Sequence, residues 1–213
     1  MALVKTSAPG RLDFLNTHQD YKGLPVASVA VNLRTRVAVE EAVMCEIASQ
    51  NTGEHCVFSP GEPPRGRAFC DYVKAAVVAL RRAGVELRGF RGVLSSDVPI
   101  GAGMASSAAL LVALTGALLR LAGRGADLYT VAELAYAAER EVLGVPCGRL
   151  DQYGSAFGHV ALIHTRPPVK VERLSLPGES SRFSTAGSAT APPRYMQRGR
   201  RSWAKPWRCL NRR

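Results

Sequence analysis

The chain has 213 residues, with an apolar fraction of 46% and a charged fraction of 21%, which are ordinary values for a globular protein. This length suits one substantial domain and is short for two, and no run of about 18 apolar residues could span a membrane. Of the net charge of +11, nine basic residues against one acidic residue (Glu179) supply +8 after residue 178, so the body of the chain is nearly balanced.

Two strands and a helix are predicted in the first half of the chain. Alternating apolar residues from Val29 to Val39 predict a long strand, and weaker alternation continues through Ile47. The amphipathic pattern of residues 71–83, ended by Gly84, predicts a helix. A further strand near residues 93–95 leads into a loop rich in glycine and serine.

This loop has two glycines two residues apart, followed by two serines, and it runs through Pro99, Gly101, Ala102, Gly103, Met104, Ala105, Ser106, Ser107 and Ala108. Glycine permits positive φ and close approach to a ligand, and we expect the serines to cap the next helix. That helix has no charged residue from Ala108 to Leu119 and should be buried. Its N-terminal amides would bind an anion such as phosphate. From the loop alone, a plain glycine-rich turn before a core helix is about as good an interpretation as a phosphate-binding loop.

A third helix is predicted from Thr130 to Val142, with Glu133 completing a capping box three residues after its start. Glu139 borders the apolar stripe of this helix and does not lie opposite it. Periodicity alone therefore leaves two interpretations open, a functional carboxylate and a solvated one beside Arg140.

The last part of the chain contains a loop, a strand pair and a tail. Residues 147–153 predict a loop that enters another helical turn, and residues 160–163 and 169–171 predict two paired strands. Beyond Pro177 no helical or strand period remains and Ser, Ala, Thr, Pro and Arg dominate. We interpret residues 178–213 as a basic, low-complexity, disordered tail.

Five cysteines lie far apart without Cys-x-x-Cys pairs, at Cys45, Cys56, Cys70, Cys147 and Cys209. This spacing predicts neither a zinc site nor a disulfide framework. Residues 1–8 lack the apolar core of an export signal. We therefore expect a cytoplasmic protein with reduced cysteines.

Three motifs in the right order resemble those of the GHMP kinases, and among them the galactokinase-like sugar kinases. They are Pro9-Gly10-Arg11 with His18-x-Asp20-Tyr21, the loop Pro99-x-Gly101-x-Gly103-Met104-x-Ser106-Ser107-Ala108, and Glu139 with Gly148-x-x-Asp151-Gln152. Three ordered motifs are far more specific than any one of them. The resemblance runs from Ala8 to Leu176, and it implies an α+β fold like domain 2 of ribosomal protein S5, with a mixed sheet and packed helices. Residues 1–177 would form the N-terminal, ATP-binding domain.

The resemblance also implies a role for each matched residue. The loop from Pro99 to Ala108 corresponds to the ATP-phosphate loop, and Ser106, Ser107 and Glu139 correspond to contacts of Mg²⁺. Asp151 matches the catalytic aspartate that accepts the proton of the substrate hydroxyl, and Arg11 matches the arginine beside it. The residues that match sugar-binding positions are Thr17, His18, Asp20, Tyr21 and Gly148.

These roles agree with what phosphoryl transfer requires. The reaction needs the charge on the nucleotide oxygens neutralised and the acceptor hydroxyl aligned, more than it needs covalent chemistry. Loop amides and Mg²⁺ would supply the first, because a hard cation takes oxygen ligands. Asp151 would supply the second, and the positive charge of Arg11 would keep its carboxylate ionised.

The chain also departs from the family pattern. The usual Gly-Glu before His-x-Asp-Tyr is replaced by Asn16-Thr17, which leaves a hexose other than galactose, or a related polyol, open as the acceptor. Family members are much longer and have a C-terminal domain that nothing after Pro177 resembles.

The resemblance implies an ATP-dependent kinase that phosphorylates galactose or a related hexose and uses ATP and Mg²⁺. Because the chain matches only the N-terminal domain of that family, a non-catalytic relic that binds nucleotide or sugar is the first alternative. The second is nucleic-acid binding through the basic tail, which contains Trp203 and Trp207. A patternless basic tail is more often simply solvated, so nucleic acid is the less favoured partner.

Overall fold

The computed structural model describes residues 3–15 and 18–175. Thr17 and the predicted tail at 178–213 lie outside these described residues. The elements in chain order are β1 (Val4–Leu15), a 3-10 turn (Asp20–Lys22), β2 (Val26–Glu41), β3 (Cys45–Ser49), β4 (His55–Phe58), α1 (Phe69–Arg82), β5 (Phe90–Ser96), α2 (Ser106–Leu121), α3 (Leu128–Ala137), a π-helical turn (Ala138–Val142), α4 (Leu150–Phe157), β6 (Val160–His164) and β7 (Lys170–Leu174). The predicted long strand, the amphipathic helix and the final strand pair are all present. The α+β prediction is therefore confirmed.

The described strands form one mixed sheet in the order β4-β3-β5-β2-β6-β7, with β1 paired to β2. The long β2 pairs with β1 along most of its length, with β5 through its C-terminal half and with β6 through its N-terminal half. Only the β3–β5 pair is parallel among these ladders. A sixteen-residue central strand thus connects elements from both ends of the described chain.

A register irregularity in β1 brings this strand against the glycine-serine loop. The shift lies between Pro9 and Arg11. A Cβ atom added to Gly10 would lie 2.9 Å from the carbonyl oxygen of Met104, so only glycine permits this approach. The next amide, that of Arg11, donates to the same Met104 oxygen at 3.1 Å. The motif in β1 is therefore attached directly to the loop.

Helix α2 forms the centre of the core, as its uncharged sequence predicts. Leu111, Leu114 and Leu118 are completely buried, together with Phe58 and Phe90 of the sheet. The helix is apolar on nearly every side because it contacts β1, β2 and each of the other three helices. The loop that precedes it is thus held on a rigid support.

The predicted capping of α2 by serine is wrong. The N-cap residue is Ala105, in the left-handed region with φ 53°, and it makes no side-chain cap. Ser106 and Ser107 are instead the first two residues of the helix. Neither serine therefore caps the helix, and Ser107 is close enough to Glu139 to lower the pKa of that carboxyl.

The predicted capping box at Thr130 is also wrong, because α3 begins two residues earlier, at Leu128. Its cap is Asp127, whose Oδ1 accepts from the amide of Thr130 at 3.0 Å. Glu133 binds elsewhere: it accepts from Arg149 Nε at 2.7 Å and from the Tyr153 hydroxyl at 2.6 Å. The carboxylate thus connects α3 to α4.

The expectation of five reduced cysteines is wrong for one pair. Cys56 in β4 and Cys70 in α1 form a disulfide, with their Cα atoms 5.5 Å apart. Sequence spacing gave no sign of this, because it depends on where α1 packs against the sheet. Cys45 and Cys147 are free thiols. Within the described ranges, no helix is both long and apolar enough to cross a bilayer.

Candidate functional site

The glycine-serine loop presents backbone amides to an open space. Gly101 and Gly103 have φ of 74° and 71°, and a Cβ atom at either position would have no neighbour within 4 Å. The first hydrogen bond of α2 runs from the Ala109 amide to the Ala105 carbonyl at 3.0 Å. The amides of residues 106–108 precede it and have no helical partner. The loop and helix end together are suited to bind an anion.

Arg11 joins this loop to Asp151, 140 residues away along the chain. The Arg11 side chain is largely buried, and it donates from Nε to Asp151 Oδ1 at 3.0 Å and from Nη2 to the same oxygen. Its Nη1 donates to the Gly103 carbonyl at 3.1 Å. The Asp151 side chain is 30% exposed, so its carboxylate remains accessible from solvent while it is held by Arg11.

The Asp20 carboxylate lies against the backbone of residues 148–150, just before Asp151. Its Oδ1 accepts from the Tyr21 amide at 2.9 Å and its Oδ2 accepts from the Leu150 amide at 3.2 Å. A Cβ atom on Gly148 would lie 2.0 Å from Oδ2, so a glycine is required there. Asp20 and Gly148, two predicted sugar-binding residues, are therefore in direct contact.

The Thr165 hydroxyl fixes the Asp20 segment, and sequence reasoning missed it. It donates to the carbonyl oxygens of Asp20 and Leu24, both at 3.1 Å. The predicted residues His18 and Tyr21 lie on this segment with exposed side chains and ring centroids 6.4 Å apart. They flank Asp20 at the surface.

Glu139 is buried beside residues of α2 and α4, which excludes the solvated carboxylate that periodicity left open, and its role in the site stays a prediction. It is 5% exposed and accepts from Gln152 Nε2 at 2.7 Å. Burial raises the pKa of Glu139, the charge of Asp151 raises it further, and the hydrogen bonds from Ser107 and Gln152 offset this in part. A buried carboxylate in such surroundings is an energetically favourable place for a cation.

A cleft of about 560 Å³ extends from the loop and the Arg11–Asp151 pair. Six of the nine predicted loop residues line it, namely Gly101, Gly103, Met104, Ala105, Ser106 and Ser107, whereas Pro99, Ala102 and Ala108 do not. Its further walls include Asn51 after β3 and the aromatic side chains Phe69 and Tyr72 of α1. Sequence reasoning placed Tyr72 on the apolar face of α1 and gave no role to the other two, because only the packing of α1 opposite the loop brings them together.

Two family patterns match the chain. The pattern described as "GHMP kinases N terminal domain" matches residues 71–159, which hold the loop, Glu139 and Asp151, and the "Galactokinase galactose-binding signature" matches residues 4–41, which hold Arg11 and Asp20. The chain therefore contains a GHMP kinase N-terminal domain together with this galactose-binding signature.

Curated relatives of the chain include several galactokinases. The chain is 32% identical over 158 residues to the galactokinase of Pyrococcus furiosus, covering 74% of this chain and 45% of that protein. It is 38% identical over 168 residues to that of a Roseiflexus species, covering 75% and 42%. The chain therefore spans about half the length of these relatives.

Solved structures show the same fold. The crystal structure of Lactococcus lactis galactokinase complexed with galactose matches with a TM-score of 0.74 at 22% identity, covering 92% of this chain and 54% of that one. Methanococcus jannaschii mevalonate kinase matches with a TM-score of 0.67 at 18% identity, covering 82% and 56%. At these identities the likeness concerns the fold, which confirms the prediction of a GHMP kinase fold.

Proposed function

We propose that the protein is a sugar kinase that transfers the γ-phosphate of ATP to a hydroxyl of galactose or a related hexose. One observation carries the proposal: Arg11 binds both the loop at Gly103 and the carboxylate of Asp151. Asp20 is attached to the amide of Leu150, the residue just before Asp151. A phosphate-binding side and a sugar-binding side would thus meet at one carboxylate that solvent can reach.

The nucleotide would bind in the cleft beside the loop. The amides of residues 106–108 and the positive end of the α2 dipole favour the phosphate charge. Phe69 and Tyr72 line the same cleft and offer flat apolar surfaces for a base. The match to the GHMP kinase N-terminal domain supports ATP as the nucleotide.

The residues present fit a magnesium ion at Glu139 and Ser107. Mg²⁺ usually takes one or two protein carboxylates and completes its shell with phosphate oxygens and water. Over residues 3–15 and 18–175 no cluster of three or more His, Cys, Asp or Glu side chains could hold a metal. The proposed site would instead use Glu139 as its one carboxylate, with Ser107 adding a hydroxyl. When bound, the ion would neutralise charge on the nucleotide phosphates.

Asp151 would accept the proton of the acceptor hydroxyl, and Arg11 would hold its carboxylate in place. A positioned general base contributes on the order of 10²–10⁴-fold to the rate. Asp20 would accept hydrogen bonds from sugar hydroxyls beside it. The similarity to galactokinases and the match to their galactose-binding signature support galactose as the first sugar to test.

Galactose-dependent release of ADP from the 213-residue chain tests this function. We expect release with ATP, Mg²⁺ and galactose, and a fall of about 10²-fold or more in Asp151→Asn with little change in ATP affinity. Asp97→Asn is a matched control, since Asp97 also pairs with an arginine, Arg36, but does not line the cleft. ADP release that does not depend on the sugar, or that is equal in wild type and Asp151→Asn, would refute the proposal.

A further inference from the structure

Gln152 is completely buried in α4, and its amide group is hydrogen-bonded on one side only. Its Nε2 donates to Oε2 of Glu139 at 2.7 Å and lies 3.9 Å from the sulfur of Cys147. Its Oε1 has no hydrogen-bond partner among the described residues. A buried amide oxygen without a partner is costly. Packing alone would be served better by an apolar residue of the same size.

The orientation of this amide follows from its partner. An amide oxygen directed at Glu139 would face a carboxylate oxygen and be repelled, so the group near Glu139 must be the donor. Asp151 and Gln152 are neighbours on one helix, and successive helical side chains point about 100° apart. Asp151 therefore reaches Arg11 and the cleft, while Gln152 reaches Glu139 in the interior.

The Glu139 carboxylate has neighbouring side chains on two different helices. Gln152 of α4 donates to Oε2 at 2.7 Å, and Ser107 at the start of α2 is close enough to the same carboxylate to lower its pKa. Glu139 itself lies in the π-helical turn after α3, a local widening of the helix that often marks functional positions. Residues of three elements thus lie together at one carboxylate, and the Gln152 amide is hydrogen-bonded to it.

We propose that Gln152 is a positioning residue for phosphoryl transfer: its amide fixes the Glu139 carboxylate so that the carboxylate faces Ser107 and the phosphate loop. This inference rests on the proposed function. A ligand held by a second hydrogen bond binds a cation without first being ordered. This role requires the N–H donor of the Gln152 amide. A side chain of the same volume without a donor would not fulfil it.

The test is the effect of Mg²⁺ on ATP affinity, measured by calorimetry on the 213-residue chain with Mg²⁺ and with EDTA. Gln152→Met keeps the volume and removes the donor. We expect it to weaken ATP binding in Mg²⁺ by about 10-fold or more, the usual loss for an outer partner of a metal ligand. Affinity for ATP in EDTA should be unchanged. A structural role alone would lower both affinities together.

Ser155→Ala is the matched control. Ser155 lies in the same helix, is equally buried and donates to the Pro9 carbonyl at 2.6 Å, so its loss removes a buried hydrogen bond away from Glu139. It should keep the full Mg²⁺ effect. If Gln152→Met does not fold, Gln152→Asn replaces it, because that variant keeps the amide but retracts it by one methylene group.

A double variant with Glu139→Gln completes the design. In the Glu139→Gln background, Gln152→Met should cause no further loss of the Mg²⁺ effect, since its action runs through that carboxylate. A full Mg²⁺ effect in Gln152→Met, or an independent loss in the double variant, would overturn the positioning role alone. Wild type that binds no ATP would instead refute the proposed function itself.

Discussion

Replacing Gly148 by alanine should weaken sugar binding and leave nucleotide binding intact. The added Cβ atom would lie 2.0 Å from Asp20 Oδ2, 2.2 Å from its Cγ and 2.7 Å from its Oδ1. All three atoms belong to one carboxylate, which cannot remain at such distances. Asp20 must therefore leave its present position.

The expected loss of stability and of galactose affinity follows from the contacts of the Asp20 carboxylate. Asp20 accepts from the amides of Tyr21 and Leu150, and hydrogen bonds to a charged group contribute about 1.5–3 kcal/mol each. Overpacking costs about 1–3 kcal/mol in addition. Because Asp20 is partly exposed, water will replace some of this loss, and we expect the free energy of unfolding to fall by ~1–3 kcal/mol. One displaced hydrogen-bonding carboxylate should weaken galactose binding by about 10-fold or more.

Calorimetry with galactose and with ATP and Mg²⁺, together with urea unfolding, measures both effects. Gly125→Ala is the control, because Gly125 is exposed, has open space around its Cα and does not need positive φ. It should change neither affinity. Unchanged galactose affinity in Gly148→Ala would show that Asp20 does not hold the sugar. An equal loss of ATP affinity would show that the two sides of the site are not separate.

Three further predictions concern charge and stability. Burial raises the pKa of Glu139 above its usual value of 4.5, so the free energy of unfolding of the unliganded protein should fall as the pH rises from 4.5 through the pKa of the folded state. Urea unfolding measured at a series of pH values checks this. Glu139→Gln should remove most of the fall. Reduction of Cys56–Cys70, a separation of 14 residues, should lower the free energy of unfolding by about 3 kcal/mol, and no shift with dithiothreitol would contradict the pairing. Asp127→Ala should lower the free energy of unfolding by about 1 kcal/mol, because the hydrogen bond from the Thr130 amide is lost. An unchanged urea midpoint would argue against this cap.

Sequence patterns were sufficient where one local cause determines the structure. The uncharged run of α2 predicts a buried helix, and the alternation in β2 predicts a strand, because each depends on hydrophobic burial alone. Caps were predicted less well. The start of α2 is decided by Ala105 in the left-handed region, and the start of α3 by Asp127, one turn before the motif that resembles a capping box.

The site itself could not be derived from periodicity. Arg11 and Asp151 are 140 residues apart, and their contact depends on how β1, the loop and α4 pack. Only the resemblance of ordered motifs indicated that they belong together. Thr165 shows the limit of that resemblance: it belongs to no motif, yet its hydroxyl holds the Asp20 segment. Periodicity also left Glu139 undecided, because the π-helical turn changes the register that an α-helical pattern assumes.

The central claim is that nucleotide and sugar bind on opposite sides of Asp151. The most direct test is calorimetry on two single variants, Gly103→Val and Asp20→Asn, each titrated with ATP–Mg²⁺ and with galactose. Valine cannot easily adopt the φ of 71° at position 103. Gly103→Val should therefore abolish ATP binding and spare galactose, and Asp20→Asn should do the reverse. Equal losses of both ligands in both variants would contradict the claim.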